Sequence, residues 1–378
     1  MHVKIHKLFE VLMNATRAHP EAALGWSSAA SPTLRDFLAQ LDADLSLDWS
    51  GQSFQGMSAL RKNVIAAHAP GGICNFEHVL VTAGTAEANF LAISQLVQKD
   101  DELIVDAPGW QQPLVLGQAI GCTTKLWQRN ENDAWALDLN MLESLITPRT
   151  RMIFLCNPNN PTGRVTTATE LQDIVRMADR VGAYVLCDEV YAGLEWSVAR
   201  ASCIADLYPR GISTGSVSKG LGLQGLRTGW MICRDPHVIR EGIILRENTS
   251  EIMNVLGEAV AEIALRPARF AAAMANARED GTRNLALLDR FIAGRPELAW
   301  HPPQAGLIGF CRLHLDLDGD ALAARLLAAP HRTFAMPGSA YGFPQHVRLG
   351  VGGGAAANLE EGIRRLSTLL DVIAGKGA

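Results

Sequence analysis

The sequence predicts an α/β protein with a large domain, built on a mostly parallel β-sheet, and a smaller α+β domain. Its 378 residues are too many for one simple core and suit one large domain beside a smaller one. Short apolar runs alternate with helical patterns through the middle of the chain, as in parallel α/β sheets. Three polar segments also follow such runs directly, where ligands of α/β sheets bind.

Seven short apolar segments are expected to form the strands of the sheet, with helical patterns such as 86–98 and 168–180 between them. Continuous apolar strands that alternate with helices indicate a mostly parallel sheet buried on both faces. The expected strands are 78–83, 102–105, 124–127, 152–155, 183–186, 212–214 and 230–232.

The C-terminal part of the chain has a different pattern. It is largely helical from about residue 247 to 290, where Pro267 should end one helix and let another begin. Two further strands are expected, at 307–311 and 347–351. The expected division is a large domain over residues 45–275 and a small domain over 1–44 and 276–378.

Composition and charge exclude several classes of protein. A hydrophobic content of 48% and a charged content of 19% are typical of a soluble globular protein. A net charge of −5, without basic blocks, argues against nucleic acid or an anionic membrane as a partner. No apolar run reaches membrane-spanning length and no signal sequence opens the chain, so we expect a cytoplasmic protein. Seven scattered cysteines without a C-x-x-C pair predict neither disulfides nor a metal site.

The most informative residue is Lys219. It lies in Ser216-Val217-Ser218-Lys219-Gly220, and Arg227 follows eight residues later. A lysine flanked by hydroxyls, with an arginine nearby, is suited to an aldehyde cofactor that also carries a phosphate. This context predicts pyridoxal phosphate, which Lys219 would hold as an internal aldimine before moving a proton between carbon atoms. A solvated surface lysine would not be expected directly after an apolar strand.

Three other polar side chains could hold the pyridine ring. Asp188 ends an apolar strand and could keep the ring nitrogen protonated. Tyr191 and Asn160 could bind the ring hydroxyl, and all three follow the carboxyl ends of expected parallel strands. Taken singly, each also suits an ordinary role: a loop carboxylate, a packing tyrosine and a turn asparagine.

The phosphate requires backbone amides and a cation. Gly84 and Thr85 lie between a strand and a helix, where amides would point at an anion. Ser216, Ser218 and Arg227 would add hydroxyls and a guanidinium. Trp110 could stack on the ring, although a single tryptophan is more often part of a core.

A glycine-rich string, Gly220-Leu221-Gly222-Leu223-Gln224-Gly225, fits the G-x-G-x-x-G pattern of dinucleotide-binding proteins. That interpretation requires a helix directly after the string. Here residues 227–231 favour a strand, so the sequence argues against a nicotinamide cofactor.

These motifs resemble the class I/II aminotransferases, the fold-type I family of pyridoxal phosphate enzymes, from about residue 45 to 355. The resemblance implies a homodimer acting on an L-amino acid through the aldimine and a quinonoid intermediate, with Arg348 binding the substrate α-carboxylate. It implies the same cofactor contacts as above: Lys219 as Schiff base, Asp188 at the ring nitrogen, Asn160 and Tyr191 at the ring hydroxyl, Gly84, Thr85, Ser216 and Arg227 at the phosphate, and Trp110 on the ring.

Two departures from the family pattern bear on the reaction. Many members of the family supply a tyrosine across the dimer shortly before a Gly-x-x-x-Leu-Arg motif, which here is residues 56–61. This chain has Trp49 and Phe54 in that neighbourhood and no tyrosine. The N-terminal segment, with Trp26 and Ser27 as candidate substrate contacts, looks more like the branch that contains capreomycidine synthase-like cyclases. Two enzymatic hypotheses therefore stand, an aminotransferase first and an eliminase or cyclase of an arginine-like amino acid second.

A cofactor-binding sensor without catalysis is the third hypothesis. Such regulators carry a helix-turn-helix segment before this domain, and about 45 residues leave no room for one.

The segment 52–61, with Phe54, Met57, Gln52 and Gln55, is expected at a dimer interface near the partner's phosphate site, because it mixes apolar and polar residues.

Overall fold

The structure is a computed structural model that describes residues 2–48, 53–352 and 356–375. The strands of this part of the chain are β1 (Ala22–Ala23), β2 (Val79–Thr82), β3 (Glu102–Ala107), β4 (Thr123–Gln128), β5 (Thr150–Cys156), β6 (Tyr184–Asp188), β7 (Gly211–Ser216), β8 (Gly229–Cys233), β9 (Leu298–Trp300), β10 (Ile308–Leu313), β11 (Thr333–Phe334), β12 (Met336–Pro337) and β13 (His346–Gly350).

Helices connect and cover these strands. The α-helices are α1 (Lys7–Ala18), α2 (Arg35–Leu38), α3 (Ser58–His68), α4 (Thr85–Leu96), α5 (Gln112–Ile120), α6 (Leu139–Leu145), α7 (Ala168–Asp179), α8 (Ile204–Leu207), α9 (Pro236–Arg246), α10 (Val255–Ala264), α11 (Pro267–Ala293), α12 (Gly319–Leu327) and α13 (Ala356–Ile373). Short 3₁₀ helices occur at Phe76–His78, Glu131–Asp133, Gln224–Leu226 and Gly338–Tyr341.

A seven-stranded sheet forms the larger part of the molecule, in the order β2-β8-β7-β6-β5-β3-β4. Strand β8 runs antiparallel to both of its neighbours and the other pairs are parallel. All seven expected strands are present, with ends shifted by at most two residues. The prediction of a mostly parallel sheet in an α/β protein is therefore confirmed.

Both faces of this sheet are buried, which explains the continuous apolar strands. In β5, Met152 and Phe154 pack into the core under α4, α5 and α9, whereas Ile153 and Leu155 pack into the core under α6 and α7. Successive side chains of a strand point to opposite faces, so each face requires its own apolar set. The sheet is thus held rigidly between two helical layers, and its carboxyl edge carries the polar loops.

A second, antiparallel sheet has the order β12-β13-β10-β9 and packs on α11, α12 and α13. The N-terminal segment joins this part, because β1 pairs in parallel with β11 at Ala22–Thr333 and Ala23–Phe334. Arg348 lies on β13, next to Phe310 of β10. The expected domain boundaries at residues 45 and 275 remain a prediction.

One helical prediction is wrong. The chain was expected to be largely helical from about residue 247. Helix α9 ends at Arg246 and α10 begins at Val255, so residues 247–254 are not helical. Glu251 has a φ of 55°, outside the helical region, and the Asn254 side chain accepts a hydrogen bond from the Gly257 amide as an N-cap. Pro267 opens α11 at its first turn, which agrees with the expected break.

None of the helices that the structure describes combines the length and the apolar character needed to span a bilayer. Within the same residues, no cluster of three or more His, Cys, Asp or Glu side chains is arranged to hold a metal ion. The residues Trp49 and Gln52, named above for the expected dimer contact, lie outside the described part of the chain.

Candidate active site

A pocket lies at the carboxyl edge of the large sheet and brings together most of the expected site residues. Its floor is formed where β5, β6 and β7 end, and its opposite side is covered by α1 and the segment after β1. The lining residues are Leu8, Leu12, Trp26, Ser27, Thr85, Ala86, Asn89, Trp110, Cys156, Asn160, Asp188, Val190, Tyr191, Ser216, Ser218, Lys219, Gln224, Arg227 and Arg348.

Lys219 is partly buried and lines this pocket. Its Nζ donates a hydrogen bond to Ser27 Oγ at 3.0 Å and lies 5.8 Å from the centre of the Tyr191 ring. Burial, together with the nearby Arg348 guanidinium, lowers the pKa of Lys219 to about 8. A less basic amine is neutral more often at physiological pH, which suits it as a nucleophile toward an aldehyde and as a proton carrier.

Asp188 ends β6 and is 6% exposed. Its carboxylate accepts hydrogen bonds from Asn89 Nδ2 at 3.1 Å and from the Val190 amide at 3.2 Å. Burial raises the pKa of Asp188 to about 6, and the hydrogen bond from Asn89 opposes that rise. The carboxylate is therefore held ready for a cationic partner.

Tyr191 and Asn160 lie on the loops after β6 and β5. The Tyr191 ring is 1% exposed, and its hydroxyl makes no hydrogen bond of normal geometry to any described residue. Asn160 is 7% exposed, and its Oδ1 accepts a hydrogen bond from Arg348 Nη1 at 3.2 Å. A buried hydroxyl without a partner is costly unless a ligand completes it.

The start of α4 forms an anion-binding corner. Gly84 is the N-cap of this twelve-residue helix, with a φ of 86°, and a Cβ there would lie 2.5 Å from Arg227 Nη2. The neighbouring Thr85 hydroxyl is buried without a partner among the described residues. Ser216 Oγ accepts a hydrogen bond from the Ser218 amide at 3.3 Å. Free helix amides, hydroxyls and a guanidinium suit a phosphate.

Arg348 is held on the small-sheet side of the pocket and is 5% exposed. It donates to Tyr341 Oη at 2.7 Å, to Asn160 Oδ1 at 3.2 Å and to the Gly25 carbonyl oxygen at 2.7 Å. A guanidinium has five N–H donors, so these contacts leave others over, and its Nε is buried without a partner among the described residues. The arginine is thus oriented to bind a carboxylate.

Trp110 and the N-terminal helix enclose the other side. Trp110 contacts the His6 ring edge-on, with 5.2 Å between ring centres, and His6 caps α1 by accepting a hydrogen bond from the Phe9 amide. Leu8 and Leu12 of α1 and Trp26 line this side of the pocket. We call these three residues the apolar wall, and Lys219, Asp188, Asn160 and Tyr191 the polar floor.

Leu8, Leu12 and Asn89 are among the pocket residues that sequence reasoning missed. Asn89 offered a signal, because it is a polar residue on the apolar face of α4 beside Ala88 and Ala92, and all three are buried. Leu8 and Leu12 offered none, because any amphipathic helix carries such residues.

The side chains present fit pyridoxal phosphate. The cofactor offers an aldehyde, a ring nitrogen, a ring hydroxyl and a phosphate, and the pocket holds an amine, a carboxylate, an unpartnered hydroxyl and an anion-binding corner in separate places. The two orphaned hydroxyls, of Thr85 and Tyr191, belong to different parts of the pocket, the start of α4 and the loop after β6. Such groups are expected where a ligand completes the hydrogen bonding.

Comparison with known proteins agrees with this fit. The profile of the family described as aminotransferase class I and II matches residues 49–366, which is most of the chain. The chain belongs to this family. It is therefore a pyridoxal phosphate-dependent enzyme of fold type I, and the predicted fold and cofactor are confirmed.

Several relatives show the range of reactions among similar proteins. Capreomycidine synthase of Streptomyces vinaceus is 28% identical over 301 residues, which cover 78% of this chain and 74% of that protein. Glutamate-pyruvate aminotransferase AlaA of Escherichia coli K12 is 30% identical over 199 residues, or 50% of this chain and 48% of AlaA. The match to mouse tyrosine aminotransferase, 28% identical, covers 47% of this chain and 40% of that enzyme. Matches to these aminotransferases thus span less than half of their length.

Solved structures match over nearly the whole chain. A PLP-dependent aminotransferase from Streptococcus suis is 28% identical with a TM-score of 0.90, covering 99% of both chains. The PLP-dependent cyclase OrfR has a TM-score of 0.87 at 24% identity, covering 98% of this chain and 99% of OrfR, which shows the shared fold.

Proposed function

We propose that the protein is an aminotransferase that takes the amino group from an L-amino acid, with Lys219 as the residue that binds the cofactor and moves the proton. The observation that carries this proposal is the Lys219 amine in the pocket, whose pKa is lowered to about 8 by burial and by the nearby Arg348 guanidinium. Bound pyridoxal phosphate supplies an electron-accepting ring that stabilises negative charge on the substrate Cα.

The protein residues then have separate tasks. Arg348 binds the substrate carboxylate, and because Tyr341, Asn160 and Gly25 fix its guanidinium, the Cα–H bond is oriented toward Lys219. The neutral Lys219 amine removes the Cα proton, and Ser27 keeps that amine in place through its 3.0 Å hydrogen bond. Asp188 would balance positive charge at the ring nitrogen of the bound cofactor, and Tyr191 and Asn160 would bind its ring hydroxyl.

The substrate side chain is proposed to be uncharged. Among the described residues that line the pocket, the charged ones are Asp188, Lys219, Arg227 and Arg348, and each already has a task toward the cofactor or the α-carboxylate. The apolar wall has no cation for an acidic side chain and no carboxylate for a guanidinium. An apolar or aromatic side chain would bury apolar surface against Leu8, Leu12 and Trp26.

A substrate screen tests the function. The purified enzyme is mixed with single amino acids in the absence of a keto acid, and the cofactor absorbance and released products are followed. We expect apolar amino acids to change the spectrum and to release one keto acid per site, because the amino group has no acceptor for a second turnover. If no amino acid gives a keto acid, the proposed reaction is wrong; if only acidic or basic ones do, the uncharged side chain is wrong.

An eliminase or cyclase is the second candidate, favoured by the long match to capreomycidine synthase. Such an enzyme would turn over repeatedly without a keto acid acceptor and would form a ring or an eliminated group from an arginine-like substrate. Stoichiometry in the same screen separates the two reactions. A protein that only senses the cofactor would give neither product.

A homodimer is proposed, with residues 53–57 near the partner's phosphate site. Phe54 is 50% exposed and Met57 is partly exposed, whereas Arg61 at the end of the expected segment is buried within its own chain and donates to the Phe76 carbonyl at 2.9 Å. Phe54→Asp should shift the protein toward monomer in sedimentation and weaken cofactor binding in the same step. A monomeric variant with normal cofactor affinity and turnover would show that each site is complete in one chain.

A cytoplasmic location is also proposed. All seven cysteines are free thiols in the structure, and six of them are buried. Free thiols are typical of a reducing compartment. Fractionation of the producing cells, with the enzyme followed by immunoblot, would test this location.

A further inference from the structure

Asn89 and Thr214 form a hydrogen-bonded chain that ends at Asp188. Asn89 Nδ2 donates to Asp188 Oδ2 at 3.1 Å, and Thr214 Oγ1 donates to Asn89 Oδ1 at 2.8 Å. Asn89 is 0% exposed and Thr214 is 1% exposed. Thr214 pairs directly with Asp188 across β6 and β7, so two rigid strands and α4 fix the three residues.

The direction of these hydrogen bonds follows from their donors. An ionised carboxylate only accepts hydrogen bonds, so the Asn89 amide must turn its NH₂ group toward Asp188. The amide oxygen then faces away and requires a donor, because a buried polar atom without a partner is costly. The Thr214 hydroxyl is that donor. The opposite orientation of the amide would turn its oxygen toward the ionised Asp188 carboxylate and lose that hydrogen bond, because both atoms only accept.

We propose that Asn89 and Thr214 are positioning residues that keep Asp188 ionised and aimed at the ring nitrogen of the cofactor. This inference rests on the proposed role of Asp188 in cofactor binding. Neither residue forms or breaks a bond in the reaction. Asn89 acts by donating to the carboxylate, and Thr214 acts by donating to the amide oxygen that faces away from the carboxylate.

The charges around Asp188 explain why such support is needed. Burial favours the neutral carboxyl group and raises the pKa of Asp188 to about 6, and the Asp106 carboxylate acts in the same direction. Asp106 is itself paired with Arg129, at 3.0 Å. Lys219 lowers the pKa of Asp188, and the thiols of Cys156 and Cys187 also lie near this carboxyl group. Tyr191, Arg227 and Arg348 line the same pocket.

That balance changes when Lys219 reacts. An amine joined to the cofactor or bearing a substrate proton no longer presents a constant charge to Asp188, so support from Lys219 varies through the reaction. A hydrogen bond from a neutral amide does not titrate. The Asn89 amide therefore gives Asp188 support that is independent of the state of Lys219.

The test compares holoenzymes of the native chain, Asn89→Leu, Thr214→Val and Thr214→Ser, each loaded with cofactor labelled with ¹⁵N in the ring. The ¹⁵N NMR shift reports whether the ring nitrogen carries a proton, and it requires no turnover. In Asn89→Leu we expect a shift toward unprotonated pyridine, because a more basic Asp188 takes the proton. Thr214→Val should move the shift in the same direction by less, and Thr214→Ser, which keeps the hydroxyl, should restore the native value.

Kinetics give a second readout of the same variants. The inference predicts a fall in kcat of roughly tenfold or more for Asn89→Leu, equivalent to about one unit of pKa at Asp188, with a smaller change in KM. An unchanged ¹⁵N shift in both Asn89→Leu and Thr214→Val, even with a lower melting temperature, would show a purely structural role and overturn the proposal. If Asn89→Leu does not fold, the milder pair Thr214→Val and Thr214→Ser decides alone.

One further variant separates this inference from the role on which it rests. Asp188→Ala should give the largest change in the ¹⁵N shift. If Asp188→Ala leaves the shift at its native value, Asp188 does not contact the ring nitrogen and the proposed role itself is wrong. If Asp188→Ala moves the shift and the Asn89 and Thr214 variants do not, only the inference about the pair is wrong.

Discussion

The polar floor and the apolar wall of the pocket are built in different ways. The floor consists of Lys219, Asp188, Asn160 and Tyr191. These residues lie at the ends of strands in one buried sheet or shortly after them, so the sheet itself sets their spacing. The wall comes from α1 and the segment after β1, which the parallel pair β1–β11 attaches to the C-terminal part of the chain. The residues proposed to bind the cofactor therefore lie at the ends of rigid strands, and those proposed to contact the substrate side chain lie on an element attached separately.

The two regions also differ in how they affect stability. The floor holds the Lys219 amine and the Asp188 carboxyl group. Their pKa values are shifted because their surroundings disfavour the charged forms. Leu8 of the wall is 3% exposed and packs in a core with Phe310, Phe334 and Tyr341. Burial of charge costs stability and burial of leucine adds it. Replacing Lys219 of the floor should therefore raise the free energy of unfolding while it lowers activity. Replacing Leu8 of the wall should lower the free energy of unfolding.

The largest effect is expected from Lys219→Met. This variant lacks the amine that binds the cofactor and moves the proton, so turnover should fall by about 10⁴-fold or more. Borohydride reduction of the native enzyme, followed by peptide mapping, should place the pyridoxyl label on Lys219. The exposed Lys99 is the matched control, and Lys99→Met should keep native activity. A label on another lysine would refute the assignment.

Asp188→Ala is expected to have the next largest effect. The variant should still bind some cofactor through the anion-binding corner at Gly84 and Arg227, but it should lose several orders of magnitude in turnover, because the ring nitrogen loses its charged partner. The measurement is kcat beside the cofactor dissociation constant. A near-native kcat would contradict the proposed role of Asp188.

Stability should separate the floor from the wall. In the cofactor-free protein, Lys219 titrates at about 8 instead of 10.5, so folding disfavours its charged form below pH 8 and the cost is relieved as pH rises toward 10.5. Lys219→Met should therefore stabilise that protein at pH 7 by about 2–3 kcal/mol, and the gain should shrink at higher pH. Leu8→Ala should instead destabilise it by about 2–4 kcal/mol at every pH. Urea unfolding at pH 7 and pH 10 measures both, and a Lys219→Met gain independent of pH would contradict the buried charge as its cause.

The same contrast explains what the sequence could predict. The floor residues lie at the last residue of a strand or within four positions after it, so local pattern and the rule for parallel sheets brought them to one pocket as predicted. The wall depends on the pairing of β1 with β11, more than 300 residues apart, which no local pattern specifies. The error at residues 247–254 came from local pattern itself. These residues tolerate a helix locally, but Asn254 caps the next helix and so fixes its start at Val255.

A moderate effect is expected at the border between the two regions, from Arg348→Lys. Lysine lacks the flat guanidinium fork, and it cannot keep the three contacts to Tyr341, Asn160 and Gly25 while it binds a carboxylate. Substrate binding should weaken by roughly 1.5–3 kcal/mol, with the cofactor spectrum unchanged. Substrate titrations followed by absorbance measure this change. Loss of cofactor with native substrate affinity would show that the arginine has been assigned to the wrong ligand.

The smallest effect, and the sharpest test of the wall, is expected from Leu12→Arg. The new guanidinium would face the pocket from α1, so kcat/KM for an acidic amino acid should rise relative to an apolar one by roughly fivefold, the scale of a partly exposed ion pair. Met13→Arg is the matched control, because Met13 is 38% exposed on the same helix and does not line the pocket. Leucine, methionine and arginine have similar helix propensities, so both variants should keep α1 intact. If the two variants change substrate preference equally, the effect comes from overall charge and Leu12 does not contact the substrate side chain. A shift confined to Leu12→Arg, with the ¹⁵N shift of the ring nitrogen unchanged, would show that the wall selects the substrate independently of the floor.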